Sequence, residues 1–347
     1  MKKKPIGKIL SVALASTVVL GMSTAVFALR EDLPGYTKTY ELTNDNTFNP
    51  EETFTFKYTA DHVTDTNVDP STITMPELGD STVSFTKGEA TTEGVEKSVA
   101  VYLANVQWPS VGVYYYKVNE VTGNTAGVTY DDSQAYLKVT VAYNEYSKTY
   151  YTAFVTLNLA DEDGDGITDD KTAGFLNVYS AGDLQITKQV TGNLGDKNAY
   201  FAVDVTLTGE EGKDYMGSYP TNAEDLSYGG TEEIGNPESI AIGETTTFYI
   251  KNDETIDIFN LPYGVTYTVA EHDYTAADKG AYDEAIYSYS DDNKVIDSAT
   301  DTVKITNNKG TVVDTGITMN SMPYIIVLAA AGIGMVVFFA RKRMNNR

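Results

Sequence analysis

Residues 112–120 read Gly-Val-Tyr-Tyr-Tyr-Lys-Val-Asn-Glu, and residues 264–271 read Gly-Val-Thr-Tyr-Thr-Val-Ala-Glu. Each opens on Gly-Val, runs through aromatic and β-branched side chains and closes on Tyr-x-Val-x-Glu, the composition of a pleated strand. The pattern extends in both directions. Thr53-Phe54-Thr55-Phe56-Lys57-Tyr58 alternates polar and aromatic, as a half-buried strand does. Residues 136–143 and 150–159 are two more such runs, with Asn144-Glu145-Tyr146-Ser147 as the hairpin turn between them. Residues 200–207, 245–250 and 265–269 repeat the pattern, and no long amphipathic helix interrupts it. The class is therefore all-β. About 285 residues of this kind exceed the roughly 100–150 that one sandwich accommodates, so two tandem β-sandwich domains are expected. Ser180-Ala181-Gly182-Asp183 marks the division, giving domains at 29–180 and 181–311.

The two Glu-terminated stretches belong to a longer repeat. Each half opens on a strand containing Thr-Lys, at Tyr36-Thr37-Lys38 and Ile186-Thr187-Lys188, and closes on a short strand bearing Asn, at Phe175-Leu176-Asn177 and Ile305-Thr306-Asn307. Lysine precedes glutamate by 82 positions in the first half (38 to 120) and by 83 in the second (188 to 271). The residue types fit one chemistry. An amine attacks a carboxamide only through a free lone pair, and burial disfavours the charged form of lysine. Burial equally favours a protonated glutamate, so Glu120 or Glu271 could donate to the asparagine carbonyl oxygen and shuttle protons as ammonia leaves. The alternative is exposed strand residues or an ordinary buried Lys-Glu pair.

Both chain ends carry targeting features. Lys2, Lys3, Lys4 and Lys8 flank an apolar run over residues 9–21, followed by Val26-Phe27-Ala28, so a signal peptide over 1–28 with cleavage between Ala28 and Leu29 is expected. At the other end Val312-Val313-Asp314-Thr315-Gly316 precedes an apolar run over about 324–340 and then Arg341-Lys342-Arg343. That run is near the minimum of about 17 residues for a membrane-crossing helix, with the basic cluster retained inside. A plain single-pass anchor has this pattern too, but the order Val-x-Thr-Gly, apolar helix, basic tail resembles the sorting signal of Gram-positive wall proteins, Leu-Pro-x-Thr-Gly in its usual form. Eight of the 25 basic residues and none of the 49 acidic ones lie in the signal and basic tail, so the stretch between carries a formal charge of −32 (25 less 8 less 49). Such a surface repels nucleic acid and anionic lipid. No cysteine is present, so disulfides do not stabilise the fold, and two histidines exclude histidine-rich metal sites.

With its Phe54-Thr55-Phe56-Lys57, residues 112–118 and Leu261-Pro262-Tyr263-Gly264-Val265, the chain resembles the backbone pilins of Gram-positive bacteria, in particular the streptococcal T-antigen type with two isopeptide-linkage domains. The resemblance covers nearly all of 29–347. It implies an immunoglobulin-like (Cna-B-type) sandwich in each half, with an amide bond from Lys38 to Asn177 assisted by Glu120, and another from Lys188 to Asn307 assisted by Glu271. It also implies a sortase that cleaves between Thr315 and Gly316 and passes Thr315 to a lysine of the next identical subunit. The Tyr-Pro-Lys-Asn element of many pilins is absent, since Tyr219-Pro220-Thr221-Asn222 has Thr at the nucleophile's place. In the T-antigen type the linking lysine precedes the last strand of the first domain; that position falls on Asp170, and Lys171 beside it, in what reads as a polar, glycine-containing loop, is the candidate. The implied product is a fimbrium linked to peptidoglycan, from a secreted, membrane-held precursor; accessory pilins and any host ligand are not specified by the sequence.

Asp161, Asp163, Asp165 and Asp169 alternate around a turn glycine, the spacing of a calcium cage, although Thr172 stands where an EF-hand has its bidentate Glu. The loop reads either as a calcium site or as an acidic surface turn; no other cofactor is implied. A monomeric wall-anchored adhesin shares the signal, domains and sorting tail. A surface hydrolase does not fit, because Gly-x-Ser-x-Gly, zinc motifs and a cysteine nucleophile are all missing.

Overall fold

The alternation of residues 53–58 becomes a ladder strand with Phe54 and Phe56 turned inward, at 1% and 0% exposure. The computed structural model describes residues 33–160, 167–172, 174–226 and 235–310. The expected signal peptide with Ala28 and Leu29, the sorting signal with Thr315 and Gly316, and Asp161, Asp163 and Asp165 lie outside these, as do the side chains of Asp169 and Lys171.

In the first half, β1 (Leu33–Leu42), β2 (Glu52–Thr64), β3 (Ser81–Phe85), β4 (Val95–Val101), β5 (Gly112–Glu120), β6 (Val128–Thr129), β7 (Ala135–Asn144), β8 (Thr149–Ala160), β9 (Ile167–Lys171) and β10 (Gly174–Tyr179) build two sheets. Their orders are β4-β1-β10-β6 and β3-β2-β5-β7-β8-β9. In the second half, β11 (Ala181–Thr191), β12 (Phe201–Thr208), β13 (Tyr219–Pro220), β14 (Ser239–Ile240), β15 (Thr245–Ile250), β16 (Thr255–Pro262), β17 (Thr266–Glu271), β18 (Ile286–Tyr289) and β19 (Thr300–Asn308) follow. They order as β16-β11-β19-β18 and β15-β12-β17, with β13-β14 as a small separate ribbon.

The topology repeats. The first strand of each half sits between an antiparallel neighbour, β4 or β16, and a parallel one, β10 or β19. In the facing sheet β2 lies between β3 and β5, as β12 lies between β15 and β17. The first half adds the β7–β9 meander before its last strand. Tyr40, Phe54, Phe85, Tyr114 and Leu137 pack in one buried cluster, and Ile186, Val203, Phe248, Ile258 and Ile305 in another. Edge-to-face aromatic contacts hold the first core, with Tyr40 5.1 Å from Phe54 and Tyr36 5.3 Å from Phe56 between ring centroids.

Between the halves the main chain continues from β10 to β11 with Ser180 alone intervening. Asn260, fully buried and at φ 61°, accepts a hydrogen bond from the Phe48 N–H at 2.7 Å. The Asn44 amide donates to Tyr263 Oη at 2.7 Å, and Asp214 O accepts from the Ala126 N–H at 2.9 Å. Asparagine tolerates the left-handed conformation, which fits its use at this seam.

One expectation changes. Lys171 was read as part of a loop, whereas it ends β9, opposite Asn158 of β8. Among the described residues β9 is the last strand of its sheet, with no strand paired to its other side.

Candidate functional site

β1 places Tyr36, Lys38, Tyr40 and Leu42 on one face by the two-residue period of a strand, and that face is buried. Lys38 thus enters the core at a position where the pattern calls for an apolar residue. On β10, Phe175, Asn177 and Tyr179 face the same core. The parallel register sets Lys38 beside Phe175 and Tyr40 beside Asn177, so the amide lies two positions along the neighbouring strand from the amine. In the second half Lys188 pairs with Ile305 and Val190 with Asn307, the same offset. The glutamates arrive from the facing sheet: Glu120 ends β5 and Glu271 ends β17.

Four of these six residues are 0–1% exposed, namely Lys38, Asn177, Lys188 and Asn307. In the first site Lys38 Nζ donates to Glu120 Oε2 at 2.6 Å, and Asn177 Nδ2 donates to Glu120 Oε1, so one carboxyl group bridges the amine and the carboxamide. In the second, Lys188 Nζ reaches both Glu271 Oε1 and Asn307 Oδ1, each at 2.5 Å. Each amine also lies over an aromatic ring, Lys38 4.7 Å from the Phe54 centroid and Lys188 4.0 Å from that of Phe201. These rings, near the start of β2 and of β12, were given no role from the sequence; only their doubled place after each lysine strand could have pointed to them.

Burial governs the electrostatics. It lowers the Lys38 amine from 10.5 to about 8, against the opposing pull of Glu120. It raises the Glu120 carboxyl above its ordinary 4.5, although Lys38 and Asn177 both favour the charged form. The Lys188 amine is lowered by burial as well. Both shifts in the first site favour a neutral amine beside a protonated acid, the state in which nitrogen has a lone pair to offer. The lysine–glutamate–asparagine arrangement read from the sequence is therefore brought together twice. The expected contact of Glu120 with the Asn177 carbonyl oxygen is not formed: Glu120 holds the amide nitrogen, because the Asp131 main-chain N–H occupies the oxygen at 2.7 Å.

Residues 34–180 match the family of the Spy0128-like isopeptide containing domain, and residues 182–309 match a domain of unknown function (DUF7601). By the family match of its first half, the chain is similar to the isopeptide-domain proteins. More particularly, it is 28% identical over 318 residues to a pilin of Streptococcus pyogenes serotype M1, covering 88% of this chain and 89% of that one. It also matches the pilus tip adhesin Cpa of Streptococcus pyogenes, 28% identical over 156 residues, which are 43% of this chain and 20% of the adhesin. Its fold is that of the solved major pilins of the same species: T3.2 at 23% identity and another at 24%, each with a TM-score of 0.51 over 80% of this chain, and covering 99% and 98% of those chains.

Proposed function

We propose that this chain is the repeating backbone subunit of a sortase-polymerised surface fibre, and that each half closes its own lysine–asparagine amide bond, Lys38 to Asn177 with Glu120 and Lys188 to Asn307 with Glu271. The observation that carries this reading is the doubled, buried meeting of amine, carboxyl and carboxamide across the first and last strands of each half. A buried ion pair is poor value as a stabiliser, since desolvating two charges offsets their attraction. A covalent product removes that difficulty. The uncharged amine attacks Cγ of the asparagine, the C–N bond forms, and the Cγ–Nδ2 bond breaks. The glutamate takes the proton released from Nζ and delivers one to the departing nitrogen, so ammonia leaves and the acid is regenerated. The event occurs once per domain. Polymerisation would follow from cleavage between Thr315 and Gly316 and transfer of Thr315 to Lys171 of the next subunit, with the last subunit passed to peptidoglycan.

Intact mass tests the internal bonds. The chain spanning 29–315 should weigh about 17 Da less than its composition for each bond, the mass of one ammonia. Glu120→Ala and Glu271→Ala should each restore one increment. A native chain at its full calculated mass would overturn the reading. The likeness to a tip adhesin keeps a non-polymerised adhesin as the second reading; boiled, detergent-treated wall extracts separate the two, a ladder of multimers meaning a backbone subunit and a single band an adhesin.

A further inference from the structure

The two sites hold their carboxamides differently. In the second, Asn307 Oδ1 faces the attacking amine. In the first, the side chain of Asn177 is gripped at both ends: Nδ2 donates to Glu120, and Oδ1 accepts the main-chain N–H of Asp131 at 2.7 Å. The orientation is fixed by chemistry, because a main-chain N–H can only donate and must face the oxygen. Asp131 lies in the short connection between β6 and β7, and its carboxylate holds that connection in place. Its Oδ2 accepts the Leu176 N–H at 2.7 Å, clipping the turn to β10 one residue before Asn177, and its Oδ1 accepts the Ser133 N–H at 2.9 Å.

We propose that the main-chain N–H of Asp131 is the oxyanion donor for formation of the Lys38–Asn177 bond, with the Asp131 carboxylate as the strut that aims it. The proposal rests on the amide-forming reading above and divides its labour. When Lys38 Nζ bonds to Cγ, the carbonyl electron pair moves onto Oδ1, where the Asp131 N–H already points. Glu120 is then free to serve the nitrogen: it accepts the Nζ proton and hands one to Nδ2, the atom it already touches. Cγ–Nδ2 breaks, the Oδ1 pair returns to the carbonyl, and ammonia departs with the proton balance closed. A donor set before reaction at the atom where charge develops needs no reorganisation, and removing one such donor slows acyl chemistry on the order of 10²-fold.

The second domain is a built-in control. In freshly synthesised full-length chain, bond formation is followed by intact mass and by the linked peptides of each half. Asp131→Ala, which frees the strut, and replacement of residue 131 by its α-hydroxy acid, which exchanges only the N–H for an ester oxygen, should both delay the Lys38–Asn177 peptide, the ester by on the order of 10²-fold. The Lys188–Asn307 peptide should appear at the native rate in both, reporting that the chain is made and folds. Native-rate linkage of the first half in the ester variant overturns the oxyanion role, including where the alanine variant alone lags, since that leaves Asp131 a strut. Absence of both linked peptides from the unaltered chain would instead overturn the parent reading.

Discussion

Lys38 is the side chain whose state is most sensitive to whether the bond has formed. In Asn177→Ala the amine and the Glu120 carboxyl both stay unlinked and buried. The unfolded chain holds the amine proton up to 10.5, the folded one only to about 8. Between those values the unfolded state binds more protons, so stability rises with pH, by up to about 3 kcal/mol across the window. Glu120 acts in the opposite sense: its carboxyl is raised above 4.5, so just above that value the folded state binds the additional proton and stability falls as pH rises. The variant should therefore be least stable near neutrality and recover through the alkaline window, read as denaturant midpoints. The linked native chain, whose Nζ no longer titrates, should lack the alkaline recovery; equal profiles would show that Lys38 stays free in both. The meeting of these six residues was legible in the sequence because the proposed chemistry would need those side-chain types in a doubled order. Asp131 was not, since what it contributes first is a main-chain N–H, which every residue except proline has; Phe54 and Phe201 fall within strand runs whose alternation gives no sign of the amine over each ring.

The parallel pairing of first and last strands is what turns that order into a site. It tolerates little insertion at one point in each half: a Cβ built on Gly174 would lie 1.7 Å from Thr37 O across the β1–β10 ladder, and one on Gly182 2.0 Å from Ser298 O. Gly174→Ala is expected to push β10 off β1, destabilise the first half by about 1–3 kcal/mol, and slow closure at Asn177 while leaving the Lys188–Asn307 bond at its native rate. Thermal melting with peptide mapping checks this; unaltered first-half closure would mean the strands adjust without moving Asn177. Alternation gave part of the strands, including β7, β8 and β15 within a residue of their ends, but not β3, β4 or β16. It could not give their partners, because a two-residue period says which face is buried and is silent on which neighbour supplies the hydrogen bonds. Short strands such as β6 and β18 escaped for a related reason, having too few residues to display a period.

At the scale of the molecule, the direct passage from β10 into β11 gives a short covalent route from Asn177 to Lys188. If a neighbour's Thr315 is joined at Lys171, tension enters close to Asn177, crosses the second half through the Lys188–Asn307 bond, and bypasses most strands of both sandwiches. Lys171→Ala or Lys171→Arg should abolish the multimer ladder while leaving both internal mass losses in place, and digested fibres should yield a branched peptide joining Val313-Asp314-Thr315 to Lys171. An intact ladder, or a branch at another lysine, would place the nucleophile elsewhere.

The parallel first and last strands have a further consequence, one of topology. Amine and amide meet only after β1 and β10 have paired, so a chain still being drawn through a secretion channel has neither bond and remains an open thread. Closure, as proposed above, would tie position 38 to 177 and position 188 to 307, each enclosing a loop of over a hundred residues (139 and 119 positions). A thread containing two such rings can no longer be pulled straight, either back through a narrow channel or into a degradative chamber that admits single strands. For a chain exported as its N-terminal features predict, the two proposed bonds would make that passage one-way, locked by folding and independent of any further enzyme.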